Sequence, residues 1–206
     1  MNSVRLHGYL KNIQPSHTIG DVIYDKADIV VPRNNGKEDI VSLRFKRYAN
    51  TYSDGDTVSL TGNLRSYSHD DNGHRVPLYV FTYFDCPPDG DEWGDTVDFE
   101  IDGHICKIDP LRTTTGGKKN VHFIIANNLI VSNGDKKLNA YLPCIAWGKL
   151  AHDMSKLKVG DYLRITGRIH SREYVHREDD GEAEIKVAHE LMVTGFSTDE
   201  ATEGNT

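Results

Sequence analysis

An all-β chain, built as two copies of one small five-stranded barrel, is what this sequence predicts, and three observations predict it. The first is a repeated segment: "GDTVSLTGNLRS" (55–66) and "GDYLRITGRIHS" (160–171) superpose at an offset of 105, with Gly55/Gly160, Asp56/Asp161, Thr61/Thr166, Gly62/Gly167 and Ser66/Ser171 coinciding. The second is another pair in the same order, "VRLHGYLKNI" (4–13) and "FEIDGHICKI" (99–108), which aligns Gly8 with Gly103 at an offset of 95. The third is the run Pro-Pro-Asp-Gly-Asp-Glu starting at Pro87, a solvated linker composition lying between the copies. The chain therefore divides into a diverged first domain (1–88), an acidic linker (89–96), a second domain (97–197) and an acidic disordered tail (198–206).

In the first copy, strand one sets Val4, Leu6, Gly8 and Leu10 inward and Arg5, His7, Tyr9 and Lys11 outward. In strand three, Val41, Leu43 and Phe45 alternate with Arg44, Lys46 and Tyr48, yet aligning Phe45 with Trp147 turns it outward; a one-residue slip reverses the assignment. "KRYANTYSDGD" (46–56) is too short and polar to form a firm helix. Strand four sends Val58, Leu60 and Leu64 inward and Arg65 and Tyr67 outward. An acidic hairpin tip at 69–75 leads to "RVPLYVFTYF" (75–84), whose outward Tyr79, Phe81 and Tyr83 read as an interface.

In the second copy, strands are expected near 97–107, 120–128, 138–147, 161–174 and 183–194, the last two joined by a hairpin tip at 177–184. Leu142, Cys144 and Ala146 face one way, and Tyr141, Pro143, Ile145 and Trp147 the other. Leu150, Met154 and Leu157 at helical spacing predict a short helix between strands three and four, ending before Gly160. Five strands with a helix in that place is the order of an OB-fold, so the expected architecture is two tandem five-stranded OB barrels. The mid-strand glycines fit, because a strand coils most easily where no Cβ resists.

Composition narrows the function. The net charge of −7 argues at first against a nucleic-acid partner, but residues 1–88 and 97–197 are each neutral and the whole surplus lies in 89–96 and 198–206. No apolar run approaches the roughly 20 residues a bilayer requires, and the N-terminus lacks an apolar signal core. Cys86, Cys106 and Cys144, odd in number and widely spaced, fit reduced thiols in a cytoplasm. The ten histidines form no metal-binding spacing, and His104 and His122 read as surface residues. "TTTGGKK" (113–119) is not a nucleotide P-loop and reads as a flexible loop whose Lys118 and Lys119 can reach phosphate. No paired carboxylates face inward, so neither an enzyme nor a cofactor is expected.

The ordered segments "DFEIDGHICKIDPLRTTTGGKKNVHFIIANN" and "CIAWGKLAHDMSKLKVGDYLRITGRIHSREY" resemble the bacterial-type single-stranded DNA-binding protein family. The second copy carries these motifs over nearly the whole domain; the first keeps "VRLHGYL" and "GDTVSLTGNLRS" but has "FKRYA" in place of "WGKLA". The resemblance implies a single strand of DNA wrapped over the surface, with Tyr141, Trp147 and Tyr174 at base-stacking positions and Lys149 beside them. A further family aromatic falls at Val131 here, and the acidic tail ends "TEGNT" instead of in a hydrophobic tip. One-barrel relatives form tetramers, which implies a homodimer carrying four barrels, serving replication or recombination.

The residues alone support the same chemistry. Binding a single strand without sequence preference takes cations along the phosphates and flat rings under the bases. On the strand from Tyr162 to Tyr174, Leu163, Ile165 and Ile169 form the core face, leaving Tyr162, Arg164, Arg168, His170, Arg172 and Tyr174 outward with no acid among them. The first copy offers Arg65 and Tyr67 on strand four, and Arg5 and Tyr9 on strand one. Two alternatives stand beside this reading: a protein-interaction module of a replication, primosome or conjugation complex, and an RNA-binding barrel.

Overall fold

The structure is a computed structural model that describes residues 1–47, 52–66, 78–83, 96–131, 136–177 and 183–198. Among the described residues it is all-β with one short helix, consistent with an OB-fold. The strands are β1 (Asn2–Ile19), β2 (Val22–Pro32), β3 (Glu38–Lys46), β4 (Thr57–Ser66), β5 (Leu78–Tyr83), β6 (Thr96–Ile108), β7 (Arg112–Thr113), β8 (Lys119–Val131), β9 (Lys136–Trp147), β10 (Tyr162–Arg177) and β11 (Ala183–Thr198). Helix α1 (Gly148–Met154) lies between β9 and β10. The expected linker at 89–96 falls almost wholly outside the described residues, as do most of both hairpin tips and nearly all of the tail.

Hydrogen bonding closes two rings, β1-β2-β3-β5-β4 and β6-β8-β9-β11-β10. Their registers repeat. Leu6 pairs with Leu60 as Ile101 does with Ile165, Ala27 with Leu43 as Phe123 with Cys144, and Leu64 with Val80 as Ile169 with Leu191. Each ring encloses an apolar interior, with Leu6, Leu10, Ile29, Leu43 and Leu64 buried in one and Ile101, Ile105, Ile125, Leu142 and Ile165 in the other. Phe45 points inward with Val41 and Leu43, so strict alternation holds and the alignment that turned it outward does not. Ile145, expected outward, is only 4% exposed; it sits in register with Met192 of the parallel neighbour β11.

The repeated Gly-Asp pair has a specific task. Gly55 and Gly160 adopt φ of 95° and 99°, where a side chain would be strained. Their N–H groups donate to Leu10 and Ile105, equivalent residues of the two first strands, at 2.7 and 2.9 Å. Asp56 and Asp161 then accept from the backbone N–H three residues upstream, at Ser53 and Lys158. The mid-strand glycines answer to crowding: a Cβ on Gly167 would lie 2.1 Å from the Met192 carbonyl oxygen and 2.7 Å from the Phe99 ring, and one on Gly8 2.3 Å from the Val30 oxygen. Backbone cannot retreat as a flexible side chain can, so Gly167→Ala is expected to destabilise the fold by about 1–3 kcal/mol in urea denaturation.

The helix is shorter than the apolar spacing suggests. It buries Ala151 and Met154 and ends at Met154, where Ser155 N caps it by donating to Ala151 O at 2.9 Å; Leu150 within it and Leu157 beyond it pack against the core. Residues 113–119, expected as a flexible loop, form a tight hairpin: Thr114 N donates to Lys118 O at 2.8 Å, Gly117 N to Thr114 O at 2.9 Å, and β7 pairs with β8. Gly117 at φ 77° supplies the turn. The first hairpin is long: β1 and β2 stay paired to Ile19↔Val22, leaving an exposed arm with Ile19 62% accessible.

The rings are joined along one edge. β1 pairs antiparallel with β6 from Asn2↔Ile101 to His7↔Thr96, a register that maps onto itself when the copies are exchanged. The repeated serine explains two further crossings: Ser171 Oγ accepts from Ile40 N at 2.7 Å, and Ser66 Oγ from the equivalent Tyr141 N at 3.0 Å. The surroundings of the two crossings then diverge. At the first, Asp39 is 1% exposed, takes both Nε and Nη2 of Arg33 and the N–H of Ser171, and Arg33 Nη2 also donates to Ser171 O. His189 Nε2 donates to the Ile40 carbonyl at 2.8 Å. At the second crossing Ala140 and Leu78 occupy the positions of Asp39 and His189.

Burial pushes His189 below the ordinary imidazole range, against the opposing effect of its bond to Ile40, and burial lowers His170 beside it as well. Both favour the neutral ring in the folded state. Above about pH 6.5 they are neutral folded or unfolded and contribute nothing to pH dependence; below it the unfolded chain takes up protons first, so stability falls. The expected result is a denaturation midpoint that declines from pH 7 to pH 5, and His189→Gln is expected to flatten that decline.

Candidate nucleic-acid interface

Among the described residues, the two most exposed Tyr, Trp or Phe rings lie on β9. Tyr141 is 49% and Trp147 38% exposed, on the face opposite buried Leu142, Cys144 and Ala146, and roughly 20 Å apart along the strand. A single base cannot touch both. Each ring has its own setting, and the sequence-predicted cations sort between them.

At the Trp147 end, β9 pairs with β8 through Trp147↔Asn120, the residue following Lys119. Lys118 and Lys119 are exposed on the β7–β8 hairpin, and Lys149 is exposed in the first turn of α1. Arg112, which the sequence reading passed over, is in register with the same Asn120. It is 3.5 Å from Asp109, which Lys107 also approaches at 3.6 Å. Trp147 thus lies at the same end of the β8–β9 pair as these four cations, of which Arg112 already faces Asp109.

Tyr141, at the other end, opens on a groove between the two rings of strands, with a volume of about 330 Å³. Arg65, Ser66 and Tyr79 of the first half line it together with Leu138, Asn139 and Tyr141 of the second. Arg65 therefore lines the same groove as Tyr141, a juxtaposition with no trace in local sequence. Its guanidinium lies 3.9 Å from the Phe81 ring centroid, and among the described residues its Nε is buried without a hydrogen-bond partner.

The expected arginine platform on β10 needs correction. Its arginines do face outward, but acids of the neighbouring strands meet them: Arg164 lies 3.9 Å from Glu100, Arg168 3.6 Å from Asp98 and Arg172 3.7 Å from Glu190. The strand contains no outward acid up to Arg172, but β6 and β11 supply them from either side. These pairs are long and solvated, worth about 0–1 kcal/mol each, so a phosphate can compete for them. Tyr174 pairs in register with Lys186, and its side chain lies outside the described residues; Tyr67 lies outside them altogether.

Of the strand-one residues, Arg5 is exposed and in register with Asp98, the acid that also meets Arg168. Tyr9 is committed within the protein, its hydroxyl donating to Glu38 at 2.6 Å beneath Lys11, 4.9 Å from the ring centroid. Among the described residues there is no group of three or more His, Cys, Asp or Glu side chains able to hold a metal ion, and no helix long and apolar enough to cross a membrane. Burial pushes the Cys144 thiol up, which leaves it unreactive.

Comparison with known proteins gives three findings. The profile of the Single-strand binding protein family matches residues 98–194. No curated protein sequence matches the chain. Among solved structures, the wild-type single-stranded DNA binding protein from Thermus aquaticus is similar at 18% identity and a TM-score of 0.71, over 100% of this chain and 95% of that one. A deletion mutant of the same protein gives the same identity and TM-score, covering 96% and 94%. The protein priB from Ralstonia solanacearum covers 50% of this chain and 97% of its own at 13% identity, with a TM-score of only 0.37.

Proposed function

Residues 98–194 belong to the single-strand binding protein family, and from that premise we propose that the whole chain is a tandem OB-fold protein that binds single-stranded DNA without sequence preference. The family is one of non-enzymatic DNA-binding proteins. The observation that carries the reading to particular residues is the pair of exposed rings on β9 inside the matched segment, Tyr141 and Trp147. Bases stack on the rings whatever their identity, while Lys118, Lys119, Lys149 and Arg112 neutralise phosphates near Trp147 and Arg65 does so near Tyr141. The repeated strand registers and the whole-chain likeness of fold support the two-barrel reading. Two barrels per chain let a homodimer present four, and a role in replication or recombination follows from the ligand.

Titration of labelled oligo-dT against ionic strength tests this. With four or five phosphate contacts, log K is expected to fall against log salt with a slope of about −3. Absence of binding at low salt, or affinity independent of salt, overturns the proposal.

A further inference from the structure

The backbone that carries the Tyr141 ring is held by the other half of the chain. β9 pairs with β8 from Asn120↔Trp147 to Val131↔Lys136, but its pairing with β11 is limited to Leu191↔Cys144 and Met192↔Ile145. Tyr141 stands ahead of that point, and its N–H donates to Ser66 Oγ of the first half at 3.0 Å. At the opposite crossing the equivalent N–H of Ile40 goes to Ser171 Oγ at 2.7 Å. The hydroxyl bond is therefore common to both crossings, and at Tyr141 it fixes a residue with an exposed ring. Leu78 stands in the place of His189, and its side chain has no donor for the Tyr141 carbonyl.

Ser66 is itself fixed from beneath. Asn2, 7% exposed, grips the end of β4 in both directions, accepting from Leu64 N and donating to Leu64 O, each at 2.8 Å. Its amide also donates to Asn127 Oδ1 of the second half at 2.9 Å. Asn127, 2% exposed, donates in turn to the Asp102 carbonyl at 2.7 Å. It is in register with Ala140, which lines the groove next to Tyr141. Exchanging the copies maps Asn2 onto Val97 and Asn127 onto Val31, so this pair of amides has no counterpart at the other crossing. A buried amide whose bonds are all made fixes one arrangement of the strands around it.

We propose that Ser66 is a positioning residue for Tyr141, so that a base-stacking site of the second half is completed by the first. The inference rests on the single-stranded DNA reading and deepens it. The diverged half serves that site through a hydroxyl and the amide pair behind it. A ring whose backbone is tied down before DNA arrives loses less freedom when a base stacks on it.

The test is a double-mutant cycle on the full chain, read by anisotropy of labelled oligo-dT, with urea midpoints measured alongside. Ser66→Ala removes the acceptor and is expected to weaken binding about threefold to tenfold. Ser66→Thr keeps a hydroxyl and is expected to stay within about twofold of the unaltered protein. In a Tyr141→Ala background Ser66→Ala is expected to cost nothing further, whereas in a Trp147→Ala background it should cost its full factor. Should Ser66→Ala fail to fold, Ser66→Cys gives the same comparison with a poor acceptor in place of the hydroxyl. Unchanged affinity in a folded variant, a threonine variant as weak as the alanine one, or a loss that persists without the Tyr141 ring overturns the positioning role and leaves DNA binding intact. Failure of the unaltered protein to bind dT overturns the functional reading on which it rests.

Discussion

Replacing Tyr141 and Trp147 together by alanine is expected to weaken oligo-dT binding by about 30-fold at the least and by as much as about 10⁴-fold. Each stacked base contributes about 1–3 kcal/mol, and the two rings are too far apart to share one. Both side chains are exposed at strand positions whose neighbours form the core, so the urea midpoint should move little. The loss should also be insensitive to salt, since neither substitution removes a charge. Anisotropy of labelled DNA is the appropriate readout, because Trp147 would itself dominate a quenching signal. A double variant that binds within threefold of the unaltered protein removes both residues from the interface.

Asp39→Ala is expected to cost about 3–5 kcal/mol of stability, the range for breaking a buried ion pair by removing one partner. The carboxylate is 1% exposed and holds Arg33 through two nitrogens while accepting the Ser171 N–H from the other half of the chain. Its loss leaves a half-buried guanidinium and an amide without their acceptor at the seam between the halves. The double substitution Arg33→Met with Asp39→Leu should recover part of the loss, because the apolar pair needs no partner while the Ser171 N–H still lacks its acceptor. Urea unfolding measures both; a loss below about 1 kcal/mol for Asp39→Ala means that the seam is held elsewhere.

The sequence was most readable where a single strand states its own constraint. The inward faces of strands one and four, the Gly-Asp turn and the pinch glycines are local demands of coiling a strand round a small barrel, and both copies retain them. Interactions that cross strands were not readable. "YLRITGRIHSR" (162–172) contains no acid, yet its arginines meet Asp98, Glu100 and Glu190, which lie on strands more than 60 residues upstream or nearly 20 downstream. Ser66 and Ser171 coincided in the repeat with no reason visible; the reason is a hydrogen bond across the molecule. Trp147 and Tyr141 were found by resemblance, whereas Arg112 and the groove around Arg65 appear only once β7–β8 pairing and the seam are in place.

The pairing of β1 with β6 also governs how this molecule behaves on dilution and how it can change. When such a joint forms between separate identical chains, it dissociates as concentration falls, and every substitution is imposed on both sides at once. Here both strands belong to one polypeptide, so the joint persists at any concentration, and each side can be altered alone. The unlike pair of crossings records that freedom: Asp39 and His189 bond across one, while Ala140 and Leu78 stand at the other, where Ala140 lines the groove. The two crossings within one chain can thereby differ, one held by a buried carboxylate and the other without it, which a symmetric assembly of identical chains does not permit.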